Sequence, residues 1–173
     1  GAQATTKSFF KYGRVNARIR TAGTKGVVSA MFTMASDKDE VDFEWLGGNP
    51  RDTLSNYFYK GELVYSNNGT YVGSDSSKEF ITYSLEWRPD SLTWLVNDKV
   101  IRTLSKSRTL DRNSGVYKFP AGPTRINFSI WDGGDSTEDG TSEWAGGPVP
   151  WNDEGINNEG RLDMKIEHLE IKC

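Results

Sequence analysis

The sequence predicts an all-β protein, a sandwich or a barrel. Three observations carry that expectation. Runs with period-two alternation recur at short spacing, Gly, Pro and Asn-Asp turn signals separate them, and no convincing amphipathic helix interrupts them. A chain of 173 residues is one domain of ordinary size, with ample length for a real core. The first clear strand is 12–20, where Val15, Ala17 and Ile19 alternate with Arg14, Asn16, Arg18 and Arg20. Segments 26–34, 39–46 and 54–60 follow. Segments 79–87 and 92–97 are rich in Tyr, Phe, Trp, Ile, Leu and Val. Asn97-Asp98 then predicts a tight hairpin into 100–104. Segments 124–131 and 161–172 complete the set. Residues 105–123 mix charges with Gly and Pro and lack strand character. Residues 132–160 are longer, acidic and Gly-rich. Trp144 and Trp151 within them point to a binding loop, not to disorder.

Composition narrows the chemistry. The chain carries 24 acidic and 21 basic side chains, a net charge of -3, with no Lys/Arg run, which argues against nucleic acid. No apolar stretch approaches the ~20 residues of a membrane span. One histidine, His168, and one cysteine, Cys173, are present, both at the C-terminal end. A serine triad would have to use His168, a Cys-His pair would need both, and a zinc site of several His/Cys ligands cannot be assembled. Catalysis is therefore expected to rest on carboxylates, with no cofactor and no metal. The 6 Trp, 7 Tyr and 8 Phe suit either sugar stacking or a β-sandwich core. No signal peptide is visible after Gly1. Two sequons are present, and Asn68, in a polar stretch, is the better glycan acceptor than Asn127. The lone Cys173 is expected to be a free thiol or to pair with a cysteine outside this chain.

The sharpest feature is Asp39-Glu40-Val41-Asp42-Phe43-Glu44-Trp45-Leu46-Gly47-Gly48. On a strand, Glu40, Asp42 and Glu44 share one face, and Val41, Phe43 and Trp45 the other. A row of three acids repels itself, so a purely structural strand has little use for it. Glycosidic bond cleavage does have a use: one carboxylate attacks the anomeric carbon and another protonates the leaving oxygen. Crowding separates their pKa values, so one stays ionised beside a protonated neighbour. The competing readings are a solvated acidic face and a calcium ligand set. Calcium usually takes more oxygens than three in a line. At roughly 3.3 Å per residue, the Cα atoms of residues 40 and 44 lie about 13 Å apart. Their side chains must lean together to reach the ~5–5.5 Å of retaining enzymes.

With its Glu-x-Asp-x-Glu motif at Glu40-Val41-Asp42-Phe43-Glu44, the chain resembles glycoside hydrolase family 16. The resemblance runs from about Phe10 to Leu169. It includes Tyr12-Gly13-Arg14-Val15, Tyr83-Ser84-Leu85-Glu86-Trp87 and Trp94-Leu95-Val96-Asn97-Asp98. It implies a β-jelly-roll sandwich of two antiparallel sheets, with a carbohydrate-binding cleft on the concave face. It implies Glu40 as nucleophile, Asp42 as its helper and Glu44 as general acid/base, with retention through a glycosyl-enzyme. Within the family the chain is most similar to the fungal cell-wall Crh-type transglycosylases. Gly47-Gly48-Asn49-Pro50, Ser55-Asn56-Tyr57-Phe58-Tyr59-Lys60-Gly61, Ile130-Trp131-Asp132-Gly133-Gly134 and Trp144-Ala145-Gly146-Gly147 carry that similarity. Asn56, Phe58, Lys60, Trp131 and Trp144 are its implied substrate contacts. Core packing is the competing reading for each tryptophan, and a plain surface lysine for Lys60.

Two departures stand out. The family often has Phe-His-x-Tyr where this chain has Phe80-Ile81-Thr82-Tyr83. Family domains also carry several dozen residues before the equivalent of Phe10, so 1–173 is expected to be one catalytic domain lacking the family's N-terminal strands. The expected function is a retaining transglycosylase that moves a chitin-type donor to β-glucan or chitin. It is expected to be monomeric, secreted or in the cell wall. An endo-β-glucanase with mixed-linkage or β-1,3 specificity uses the same three acids and is the first alternative. A non-catalytic carbohydrate-binding sandwich is the second.

Overall fold

In the computed structural model, which describes residues 1–138, 140–153, 156 and 160–173, eleven strands form among the described residues. They are β1 (Ala2–Thr5), β2 (Gly13–Arg20), β3 (Val27–Ala35), β4 (Glu40–Leu46), β5 (Asp52–Phe58), β6 (Gly69–Val72), β7 (Ile81–Trp87), β8 (Ser91–Val96), β9 (Lys99–Ser105), β10 (Thr124–Asp132) and β11 (Lys165–Lys172). Two antiparallel sheets result, one in the order β1-β10-β3-β4-β5-β6 and the other β11-β2-β7-β8-β9. The sandwich expected from the period-two pattern is therefore formed, and a barrel is not. β4 lies inside the six-stranded sheet with β3 and β5 as neighbours, so its backbone is paired on both sides.

The core lies between the sheets. Val41, Phe43 and Trp45 of β4 meet Tyr83, Leu85 and Trp87 of β7 and Leu92 and Trp94 of β8. Phe43 stacks on Trp45 with centroids 6.0 Å apart, and the Trp45 ring sits 4.5 Å from Tyr83. Each buried indole N–H finds an acceptor. Trp45 donates to Thr53 Oγ1 at 3.2 Å, Trp87 to Pro120 O at 3.2 Å and Trp94 to Asp42 O at 3.0 Å. The three indoles are thus buried without stranded donors, whereas the Tyr83 hydroxyl, also buried, has no hydrogen-bond partner.

Several strand ends differ from the sequence pattern. β1 and β6 were not expected. Each has four residues and sits at a sheet edge, and neither has an apolar run long enough to announce itself. Both owe their form to the neighbour they pair with. β5 stops at Phe58, two residues early, because Lys60 takes φ 49° and the chain turns through Gly61 at φ 77°. The Asn97-Asp98 hairpin forms as expected, with φ of 48° and 62°, the left-handed pair that a two-residue turn needs.

The described residues of the segment 132–160 gather around a second small cluster. Val149 packs with Ala22 and Val27, and Ile130, Ile156 and Leu162 lean against them. Gly26 anchors the start of the segment. Its N–H donates to Ala145 O at 3.0 Å and its carbonyl accepts from Gly133 and Gly134. With φ at +83° and Gly147 O only 2.6 Å from where a Cβ would stand, no other residue fits there. That anchorage fixes a one-turn helix, Thr141–Trp144, beside β10. Residues 139, 154, 155 and 157–159 of the expected binding loop lie outside the described residues.

Candidate active site

Alternation along β4 places Glu40, Asp42 and Glu44 on the face turned away from the core. Register fixes what stands beside them. From β3, Met34, Phe32 and Ala30 lie opposite Glu40, Asp42 and Glu44. On the other side, β5 places Phe58, Asn56 and Leu54 opposite the same three. The acids thus sit in a strip of mostly apolar neighbours, with Asn56 the one amide. Asp42, at the centre, is only 4% exposed, and its Oδ1 is buried without a hydrogen-bond partner.

This setting makes the row hold its protons. Burial, with the charge of Glu44 adding, pushes Glu40 from 4.5 up to about 7. Burial pushes Glu44 up to about 7 as well. Asp42 is raised well above the usual carboxylate range, first by burial and then by Glu44 and Glu40; the Asn56 backbone N–H and Arg102 oppose that rise. Near neutral pH the row therefore holds at least one shared proton while another carboxylate is free to ionise. A nucleophile and a proton donor on one strand need that condition. Asp39, next in sequence, is different. Its Oδ1 accepts the Lys60 N–H at 3.0 Å, and its Oδ2 accepts those of Ala121 and Gly122 at 2.7 and 3.2 Å. It ties three loops together where β4 begins.

Aromatic side chains stand at both ends of the strip. Trp131 shares the cleft face of β10, in register with Val28 and so at the Glu44 end. Trp144 stacks beside it, with ring centroids 6.4 Å apart and planes at 29°. Neither belongs to the core clusters. Phe58 stands at the Glu40 end, where Tyr65 meets it edge-on at 6.1 Å. Lys60 does not join the row. It is exposed, lies over the Tyr59 ring at 5.2 Å and borders a separate hollow of about 390 Å³ with Lys106 and Tyr117. Trp151 is held by Asp132, its Nε1 donating to Oδ2 at 3.2 Å.

Several residues of the face had no signal in the sequence. Phe32 and Met34 fall in the expected strand 26–34, and only the register places them beside the acids. Gln3, Thr5 and Asn127 form a polar patch on the same face, with Asn127 Oδ1 accepting from Thr5 Oγ1 at 2.7 Å and Gln3 Nε2 at 3.2 Å. That buries Asn127 and closes the second sequon to a glycan. Tyr65 sits on a short 3₁₀ turn, Tyr65–Asn67, in a stretch without period.

Comparison with known proteins agrees with this geometry. The profile of glycosyl hydrolases family 16 matches residues 1–146. "Probable glycosidase CRR1" of Saccharomyces cerevisiae is 36% identical over 174 residues, covering 99% of this chain and 41% of that protein. "Crh-like protein 3" of Botryotinia fuckeliana is 34% identical over 174 residues, covering 100% of this chain and 39% of that protein. The chain thus spans about two fifths of the length of these curated relatives. Among solved structures, a Crh5 transglycosylase in complex with NAG superposes with a TM-score of 0.88 at 31% identity, over 98% of this chain and 67% of that one. The two antiparallel sheets are therefore the family's β-jelly roll, and this chain belongs to glycosyl hydrolases family 16.

Proposed function

We propose that the chain is the catalytic domain of a retaining transglycosylase acting on cell-wall β-linked polysaccharide, with a chitin-type donor and a β-glucan or chitin acceptor. The observation that carries this reading is the buried acid row, with proton affinities raised toward neutral pH. Glu40 attacks the anomeric carbon as the glycosidic C–O bond breaks, and Glu44 gives its proton to the leaving oxygen. A hydroxyl of the acceptor sugar then attacks the same carbon. Its proton passes to Glu44, and Glu40 leaves as a carboxylate. Asp42, protonated, donates a hydrogen bond to Glu40 and steadies whichever charge it holds. Trp131 and Trp144 offer flat faces on which an acceptor sugar displaces water, which favours transfer over hydrolysis. Phe58 and Asn56 contact the sugar at the Glu40 and Asp42 positions.

The glycosidase and transglycosylase names of the relatives, and the NAG bound to one of them, support carbohydrate partners. Among the described residues no helix is long and apolar enough to cross a membrane. Asn68 is exposed and is the acceptor for a glycan if the protein is secreted. The test is to incubate the protein with a chitin oligomer and a labelled β-1,3-glucan oligomer. Longer labelled hybrids support transfer. Reducing ends alone make it a hydrolase, and binding without reaction makes it a carbohydrate-binding sandwich.

A further inference from the structure

We infer that Arg102 is a positioning residue for the acid row: from β9 in the opposite sheet it holds a positive charge beneath Asp42 and sets the pH range over which the row exchanges protons. This rests on the reading of the row as catalytic. Arg102 pairs with Trp94 and so faces the core, as Leu104 does opposite Leu92. Arg102 is half-buried there on an edge strand, with its guanidinium laid over the Trp94 ring. Its Nη1 donates to Ser55 O at 2.8 Å and Ser55 Oγ at 3.1 Å, and its Nη2 donates to Asn67 O. All these acceptors are neutral. Among the described residues no carboxylate pairs with it, so its charge is not cancelled locally.

A continuous stack connects that charge to the row. The guanidinium carbon lies 4.5 Å from the centre of the Trp94 ring, and Trp94 Nε1 donates to Asp42 O at 3.0 Å. The hydrogen bond from the Asn56 backbone N–H also favours the ionised Asp42, but Arg102 is the cation that does so. β3 presents Ala30, Phe32 and Met34, and β5 presents Leu54, Asn56 and Phe58, none of them charged. β4 adds only Glu40 and Glu44, which repel, and β8 adds only Trp94. Tyr57 is the other titratable group near the guanidinium, 5.9 Å from its ring centre. Without the cation, the row binds its protons more tightly. Asp42 then stays protonated to higher pH.

Two neutral variants, Arg102→Gln and Arg102→Met, and the charge-keeping Arg102→Lys test this. Carboxyl titrations of ¹³C-labelled protein and the pH profile of kcat/KM with the chitin and β-1,3-glucan oligomers are the readouts. In the neutral variants the Asp42 midpoint moves to higher pH, by about half a unit or more, and the pH profile departs from the parent's. Arg102→Lys keeps them near the parent values even where it loses thermal stability, because lysine restores the charge but not the fork of carbonyl contacts. A neutral variant that titrates like the parent and only melts earlier would make Arg102 a staple between β9 and β5 and overturn the inference. A parent inactive on both oligomers would sink the catalytic reading, while the carboxyl titrations would still decide the role of Arg102.

Discussion

On β4, Val41, Phe43 and Trp45 are packed into the core, while Glu40, Asp42 and Glu44, one residue out of step, line the cleft. The two faces share one backbone and one register. On the inner face every side chain gains from leaving water, and the one indole N–H has Thr53 Oγ1 as acceptor. On the outer face Asp42 is buried between half-buried Glu40 and Glu44, and Asp42 Oδ1 has no partner. The inner face holds the outer one in place. A strand anchored by two aromatic rings and paired on both sides can keep repelling carboxyls close together, where a free loop would let them part.

The largest expected break in this comparison is Glu40→Gln. Turnover falls by ~10³-fold or more while the fold and oligosaccharide binding remain. Product analysis, circular dichroism and calorimetric binding check it, and full retained activity would remove Glu40 from its assignment. Next comes the inner face. Phe43→Ala destabilises the domain by ~3–5 kcal/mol in urea unfolding, from lost burial plus a cavity. A loss under ~1 kcal/mol would mean that β4 is not anchored as described.

The acid row also sets a sign for pH. Glu40 and Glu44 are raised from 4.5 to about 7 in the folded state, so the fold favours their protonated forms. The stability tied to them is fully present below about 4.5 and is lost as pH rises through about 7. Glu44→Gln, which cannot ionise, should therefore melt a few degrees above the parent at pH 8 and close to it at pH 4.5. Equal melting differences at both values would contradict the raised proton affinities. The smallest effect is at the rim. Trp144 is 38% exposed, so Trp144→Ala should lower kcat/KM about tenfold with little change in Tm. A large drop in Tm instead would return Trp144 to a packing role.

Much of this was legible in residue spacing. Alternation over 12–20 and 39–46 was clear because buried and exposed residues switch at every position. The triad of acids was legible because three charges at i, i+2 and i+4 on a strand share a face whatever the strand pairs with. The short edge strands β1 and β6 were not legible, since four residues carry too little pattern. Phe32, Met34 and Arg102 were missed for a related reason. Alternation tells which residues share a face, but not which face of β3 looks into the cleft or whose carbonyls an inward arginine meets.

The sequence by itself thus determined the class of fold and the acid row, because composition and period-two spacing act locally. Tertiary structure decided the rest. It buried the row and so raised its proton affinities, brought Trp131 and Trp144 together, sent Lys60 to a different hollow and set Arg102 behind Asp42. Each of those depends on which strands neighbour one another and on water being excluded between them, and no local pattern encodes either.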